Sequence, residues 1–183
     1  MKRQVITTAN EDKRLRQVSK EVKSFDKNLD QLIIDLSETL EAQTDPPGLG
    51  ISAPQIGVLK RVFVAKIVNN RQNLSGKKVK SFVNPKIIKF SQKEVTILEG
   101  CLSVPELYGH VIRPAELDFE SQNKNGRKTT AHYKGLPARI IQHEIDHLNG
   151  ILFIDHVHDQ NGKMFKVEKD KKGQEQFIEL AYA

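Results

Sequence analysis

Gln142-His143-Glu144-Ile145-Asp146-His147 is the stretch from which the rest of the chain is read. Leu136, Ile140, Ile141, Leu148 and Ile151 surround it with apolar residues, so the run reads as part of a helix. Residues four apart on a helix lie one turn apart on the same face, which lets His143 and His147 point two ring nitrogens at one metal ion. Glu144 then stands beside the ion instead of ligating it, where a general base for a metal-activated water belongs. The bland alternative is a solvated polar helix face, and the apolar neighbours argue against it.

Outward from this run, Gly135-Leu136-Pro137 starts the helix, with Pro137 suited to its first turn, and Asn149-Gly150 stops it. Upstream, short segments with β-branched and aromatic residues read as strands: 58–68, 81–83, 86–90, 95–98, 111–113, 116–120 and 127–133. Asn84-Pro85 divides the second from the third, Asn123-Lys124-Asn125-Gly126 is a turn, and polar 69–80 is a long hairpin loop. Leu29, Leu32, Ile33, Leu36 and Leu40 recur at three-and-four spacing and predict an amphipathic helix that Asp26 caps. Leu15, Val18 and Val22 mark only a short helical or irregular segment before it. Thr44-Asp45-Pro46-Pro47 ends the helix, and Gly48-Leu49-Gly50 continues as an ordered loop or extended segment where the backbone comes close to something. The expected fold is α+β, with antiparallel strands in small sheets packed around a central metal-binding helix. Residues 1–183 form one domain with a mobile tail from about 160 onward, because 168–175 is too charged for a core. Within that tail, Asp159-Gln160-Asn161-Gly162 is a turn, and Phe177-Ile178-Glu179-Leu180 offers at most part of a helix.

Composition sets bounds on function. Hydrophobic residues make up 38% and charged residues 28% of the 183, a globular composition. No apolar run approaches the roughly 20 residues of a membrane span, and the N-terminus has no signal-peptide core, so a cytoplasmic location is expected. A formal charge of +6 permits contact with a polyanion. The basic residues, denser only at 77–80 and 166–172, are not interleaved with aromatics as a nucleic-acid stacking surface would be, and no DNA or membrane partner is expected.

Two histidines leave a catalytic metal one protein ligand short. A histidine six residues after the second, as some metalloproteases use, is excluded because Phe153 holds that position. Glu168 and Glu175, candidates for a downstream glutamate, lie in the lysine-rich segment with little apolar face. Cys101, the one thiol, would complete Cys-His-His. By spacing alone it is equally an inert buried hydrophobe or a nucleophile.

Three stretches together resemble the signature motifs of the peptide deformylase family: Gly48-Leu49-Gly50-Ile51-Ser52-Ala53-Pro54-Gln55, Glu99-Gly100-Cys101-Leu102-Ser103 and the opening run. Their order and separations fit as well. Ser52 departs from the alanine usual there, a small residue for a small residue. The resemblance implies that Cys101, His143 and His147 bind one divalent metal, with Fe2+ the physiological ion. Zn2+, Ni2+ or Co2+ would satisfy the same ligands in purified protein. The implied reaction removes the N-formyl group from the initiator methionine of a nascent polypeptide, with Glu144 as general base and acid. The Gln55 amide and the Leu102 backbone N–H would stabilise the charge growing on the formyl oxygen. A peptide would pair by main-chain hydrogen bonds along Leu49-Gly50 and Glu99-Gly100, with its methionine in an apolar pocket walled by Leu136 and Ile140. Asp146 reads equally as a group orienting a ligand histidine or as a surface carboxylate. A ribosome surface is an expected partner, since the substrate emerges there. The rival readings are a His-Glu-x-x-His metallopeptidase and a non-enzymatic metal- or ribosome-binding module.

Overall fold

The computed structural model describes residues 1–10, 12–70, 78–169 and 174–181. The core is built around a strand buried on both faces, β2 (Val62–Lys66). Alternate residues of a strand point to opposite sides, so Phe63 and Ala65 join one cluster while Val62 and Val64 join another. The first cluster packs against helix α2 (Leu136–Leu148), through Ala138, Ile141, Ile145 and Leu148. The second packs against α1 (Lys27–Glu41), through Leu29, Leu36 and Leu40. The Asp26 side chain caps α1 by accepting from the N–H groups of Asn28 and Leu29, as its sequence position predicts.

Five strands form this sheet in the order β1-β2-β3-β6-β7, where β1 is Gly50–Ser52, β3 Val79–Phe90, β6 Glu116–Gln122 and β7 Lys128–Lys134. A second sheet runs β4-β5-β8-β9, with β4 Glu94–Cys101, β5 Val104–Pro114, β8 Met164–Lys169 and β9 Glu175–Leu180. Every strand pair is antiparallel. Helix α3 (Phe153–Asp159) covers the second sheet, with Phe153 and Val157 packed on Val104 and Val111. The arrangement is the expected one of small antiparallel sheets around the His-Glu-x-x-His helix.

Two expectations are corrected in detail, and one element is added. Asn84-Pro85 does not divide two strands: β3 runs through it, with the register slipping between Val83 and Lys86 and Asn84 at φ 46°. The Asn84 side chain explains how, since it accepts from the Val22 N–H and donates to the Val22 carbonyl, tying the irregular strand to the N-terminal segment. Helix α3 was not foreseen. From 164 onward the described residues form the β8–β9 hairpin on β5, and Phe177 to Leu180 are strand instead of helix. Parts of two expected segments, 71–77 in the polar hairpin loop and 170–173 in the charged tail, lie outside the described residues.

Candidate active site

Helix α2 carries His143 and His147 on one face, and the end of β4 brings Cys101 to meet them. Their donor atoms all lie within 4.8 Å of one another, with Cys101 Sγ 3.1 Å from His147 Nε2. Among the described residues this is the group of His, Cys, Asp and Glu side chains arranged to hold an ion. Burial pushes the Cys101 thiol up, but His147 and His143 outweigh it and bring it down to about 5, a thiolate at neutral pH. One thiolate and two imidazoles make a donor set that suits a borderline divalent ion, and the residues fit the metal that the motifs imply.

Glu144 lies at the same site, fully buried, and its Oε2 has no hydrogen-bond partner among the described residues. Burial lifts its carboxyl to about 7 against the opposing pull of His143 and His147. Gly50 sits directly against this carboxylate: a Cβ there would collide with Glu144 Oε1 and Cδ. The close approach anticipated for the Gly48-Leu49-Gly50 segment is therefore an approach to the Glu144 carboxylate, which brings the edge of β1 up to it.

Gln55 is buried, with its amide orientation fixed at both ends. Its Oε1 accepts from the Ser52 N–H and hydroxyl at 2.8 and 2.9 Å. Its Nε2 donates to Ser103 Oγ at 3.0 Å and faces Cys101 Sγ at 3.7 Å. Ser52, the departure from the family pattern, thus adds a hydroxyl to the Gln55 clamp. Leu102 follows Cys101 in the turn between β4 and β5. A cavity of about 340 Å³ opens over these groups, bordered by Leu49 and Gly50 on one side and by Glu99, Gly100 and Leu102 on the other. Leu136 and Ile140 line it too, while Ile140 also belongs to the core cluster against α2.

Glu99, expected beside the substrate, borders the cavity but commits both carboxylate oxygens inward. Oε1 accepts from Arg113 Nε and Arg139 Nη1, at 2.7 and 2.8 Å, and Oε2 accepts from His143 Nδ1 at 2.9 Å. That contact holds a proton on Nδ1 and turns Nε2 toward Cys101 and His147. Asp146 matches neither of its two sequence readings. It is mostly buried and bonds Arg113 Nη1 at 2.5 Å and His156 Nε2 at 2.9 Å, so it supports the network instead of a ligand histidine. Arg113 and Arg139 were missed. Their signal is parity: Arg113 follows buried Gly109 and Val111 at two-residue spacing on β5, and Arg139 lies one turn before His143 on the buried side of α2. Phe153, which excluded the three-histidine protease pattern, stacks its ring against His143 with centroids 6.4 Å apart. Glu168 and Glu175 are exposed on the β8–β9 hairpin, away from the site.

A thiolate and two imidazoles beside a buried carboxylate of raised pKa, at the floor of a cleft, define a metal-dependent hydrolase. A family model described as polypeptide deformylase matches residues 4–163. A peptide deformylase of Rhizobium meliloti is 41% identical over 143 residues, covering 78% of this chain and 79% of that protein. One from Rhizorhabdus wittichii is 40% identical over 166 residues, covering 88% and 92%. The crystal structure of a peptide deformylase from Legionella pneumophila superposes with a TM-score of 0.74 at 36% identity, covering 85% of this chain and 86% of that one. The chain belongs to the polypeptide deformylase family, the hydrolases that remove the N-formyl group from newly synthesised polypeptides.

Proposed function

We propose that this chain carries out the family reaction with Cys101, His143 and His147 holding one divalent ion, Glu144 moving the proton, and Gln55 with the Leu102 N–H stabilising the developing charge. The observation that carries this reading is the convergence of three donor atoms within 4.8 Å beside a buried, unpartnered Glu144 oxygen. The bound ion supplies Lewis acidity, polarising the formyl carbonyl and making a water molecule acidic near neutral pH. Glu144 takes the proton from the attacking water, whose oxygen adds to the formyl carbon. As the C–N bond breaks, Glu144 delivers the proton to nitrogen, and formate and a free amine leave. Burial raises the Glu144 carboxyl above the ordinary carboxylate range, the direction that suits a group that first takes a proton and then returns it. Ser52 and Ser103 hold the Gln55 amide in place beside Cys101, so that the donor is positioned before substrate arrives.

The substrate is an extended N-formylmethionyl chain lying between two sheet edges. β1 and β4 each end their sheet, and both border the cavity. A peptide added there pairs through its main chain along Leu49-Gly50 and Glu99-Gly100, largely without regard to sequence, and places methionine against Leu136 and Ile140. Ferrous iron is the ion we propose, on the strength of the family motifs. The ligands by themselves accept zinc, nickel or cobalt as well. The protein works in the cytoplasm as one domain, where its +6 charge favours encounter with the ribosome that delivers the nascent chain. No helix among the described residues is long and apolar enough to cross a membrane.

The test is Glu144→Gln assayed for formate release from formyl-Met peptides under anaerobic conditions, with metal content measured in parallel. We expect kcat to fall by about 100- to 10,000-fold at unchanged metal content. Full activity in that variant would remove Glu144 from the mechanism. Internal peptide cleavage without formate would favour the metallopeptidase instead, and one ferrous ion per active chain would support iron.

A further inference from the structure

The β8–β9 hairpin lies beyond the residues that the family model matches, yet it reaches the wall of the substrate cleft. On β5, Tyr108 stands opposite Gly100 of β4 and Phe165 of β8. Its ring occupies the space a side chain at position 100 would need: a Cβ at Gly100 would fall 2.5 Å from Tyr108 Cε1 and 2.7 Å from Cδ1. Gly100 directly precedes Cys101, and both Gly100 and Tyr108 border the cavity. Behind Tyr108, the ring of Phe177 on β9 meets it edge-on, with centroids 5.2 Å apart and planes at 67°. Phe165 braces Phe177 in turn at 6.4 Å. This is the sheet face away from α3, whose Val157 packs at Gly109 on the opposite face. Phe177 remains 49% exposed, so hairpin folding accounts for only part of its ring.

We propose that Tyr108, braced by Phe177, forms an aromatic shelf that receives an apolar side chain from one of the two residues after formyl-methionine, making the C-terminal hairpin part of the specificity apparatus. The inference rests on the deformylase reading and on a peptide lying along β4. Side chains of such a peptide alternate between the two faces of the sheet. Those on the outer face pass Leu98, which precedes Gly100 by two and points the same way, and then the Tyr108 ring. Glycine at position 100 lets that ring come level with the backbone of the edge strand, so an incoming side chain meets aromatic surface at once. Phe177 is a positioning residue: it fixes the shelf and does not touch the reacting atoms.

The experiment compares kcat and KM for three formylated peptides: formyl-Met-Gly-Gly-Gly, formyl-Met-Leu-Gly-Gly and formyl-Met-Gly-Leu-Gly. The wild-type protein is expected to prefer leucine over glycine at one of the two positions. Phe177→Ala is expected to reduce that preference by about fivefold, through KM, as one edge-on aromatic contact is lost. Phe177→Tyr is expected to restore it. Phe177→Leu keeps the apolar volume without the ring and gives the same readout should the alanine variant fail to fold. A wild-type protein indifferent to leucine overturns the shelf, and so does a variant that loses activity equally on all three peptides. Absence of formate from every peptide with wild-type protein overturns the deformylase reading itself.

Discussion

Three imidazoles in this molecule sit 2.9 Å from a carboxylate, and two of them, His143 beside Glu99 and His132 beside Asp118, make the sharper contrast. Distance does not separate them; surroundings do. Glu99, Arg113 and Arg139 are each about 4% exposed, and the two guanidiniums offset the two carboxylates of Glu99 and Asp146 inside the protein. There a charge has no water to fall back on, so removing one partner strands the others. His132 lies on the open face of β6 and β7 between Asp118 and Glu116, half exposed, where solvent and salt screen it. The same contact thus fixes the imidazole proposed as a metal ligand in one place and is nearly dispensable in the other.

The contrast is sharpest at Glu99. Glu99→Gln is expected to cost about 3–5 kcal/mol by urea unfolding and to weaken metal binding about 10- to 100-fold in chelator competition. Stability within error of wild type would break the comparison. Asp146→Asn is milder, about 1–3 kcal/mol, because Arg113 keeps its bonds to Glu99. A loss as large as that at Glu99 would mean that the network is shared evenly instead of being centred on Glu99 and His143.

His132→Ala is expected to change stability least. Asp118 raises the His132 pKa, with Glu116 adding to the effect, so its stabilising contribution is full below the ordinary value of 6.5 and fades as pH climbs through the raised one. Thermal melts should therefore separate wild type from variant slightly at about pH 5.5, and not in alkaline buffer or about 1 M salt. For Glu99 the sign is opposite. Burial alone would raise its pKa, but His143 and Arg113 depress it, so that stabilisation persists above the ordinary carboxylate range and is lost only as pH falls below it.

Most of the site was legible because its chemistry is local in sequence. His143 and His147 declare a shared face by spacing, and Asp26 announces α1 by its place before an apolar repeat. What stayed hidden depends on partners far along the chain. Arg113 lies 14 residues from Glu99 and 33 from Asp146, and nothing near it names either. Asn84-Pro85 looked like a break because proline lacks a donor, while the side-chain bonds that carry β3 across it come from Val22. Helix α3 has seven residues, of which Phe153 and Val157 are buried, too short for a period to emerge. β9 is exposed along its whole length, so no inward-facing alternation marked it as a strand.

The two sheet edges that flank the cleft carry a further consequence. An unpaired edge will accept any extended backbone, including that of a second copy, and long open edges seed aggregation. Here β1 offers three residues, and Arg139 Nη2 occupies the Val95 carbonyl of β4 at 2.6 Å. Both edges border one cavity, so on the proposed function a loose chain end that enters it meets short or partly occupied pairing surface on either side, a poor template for the border of another folded sheet.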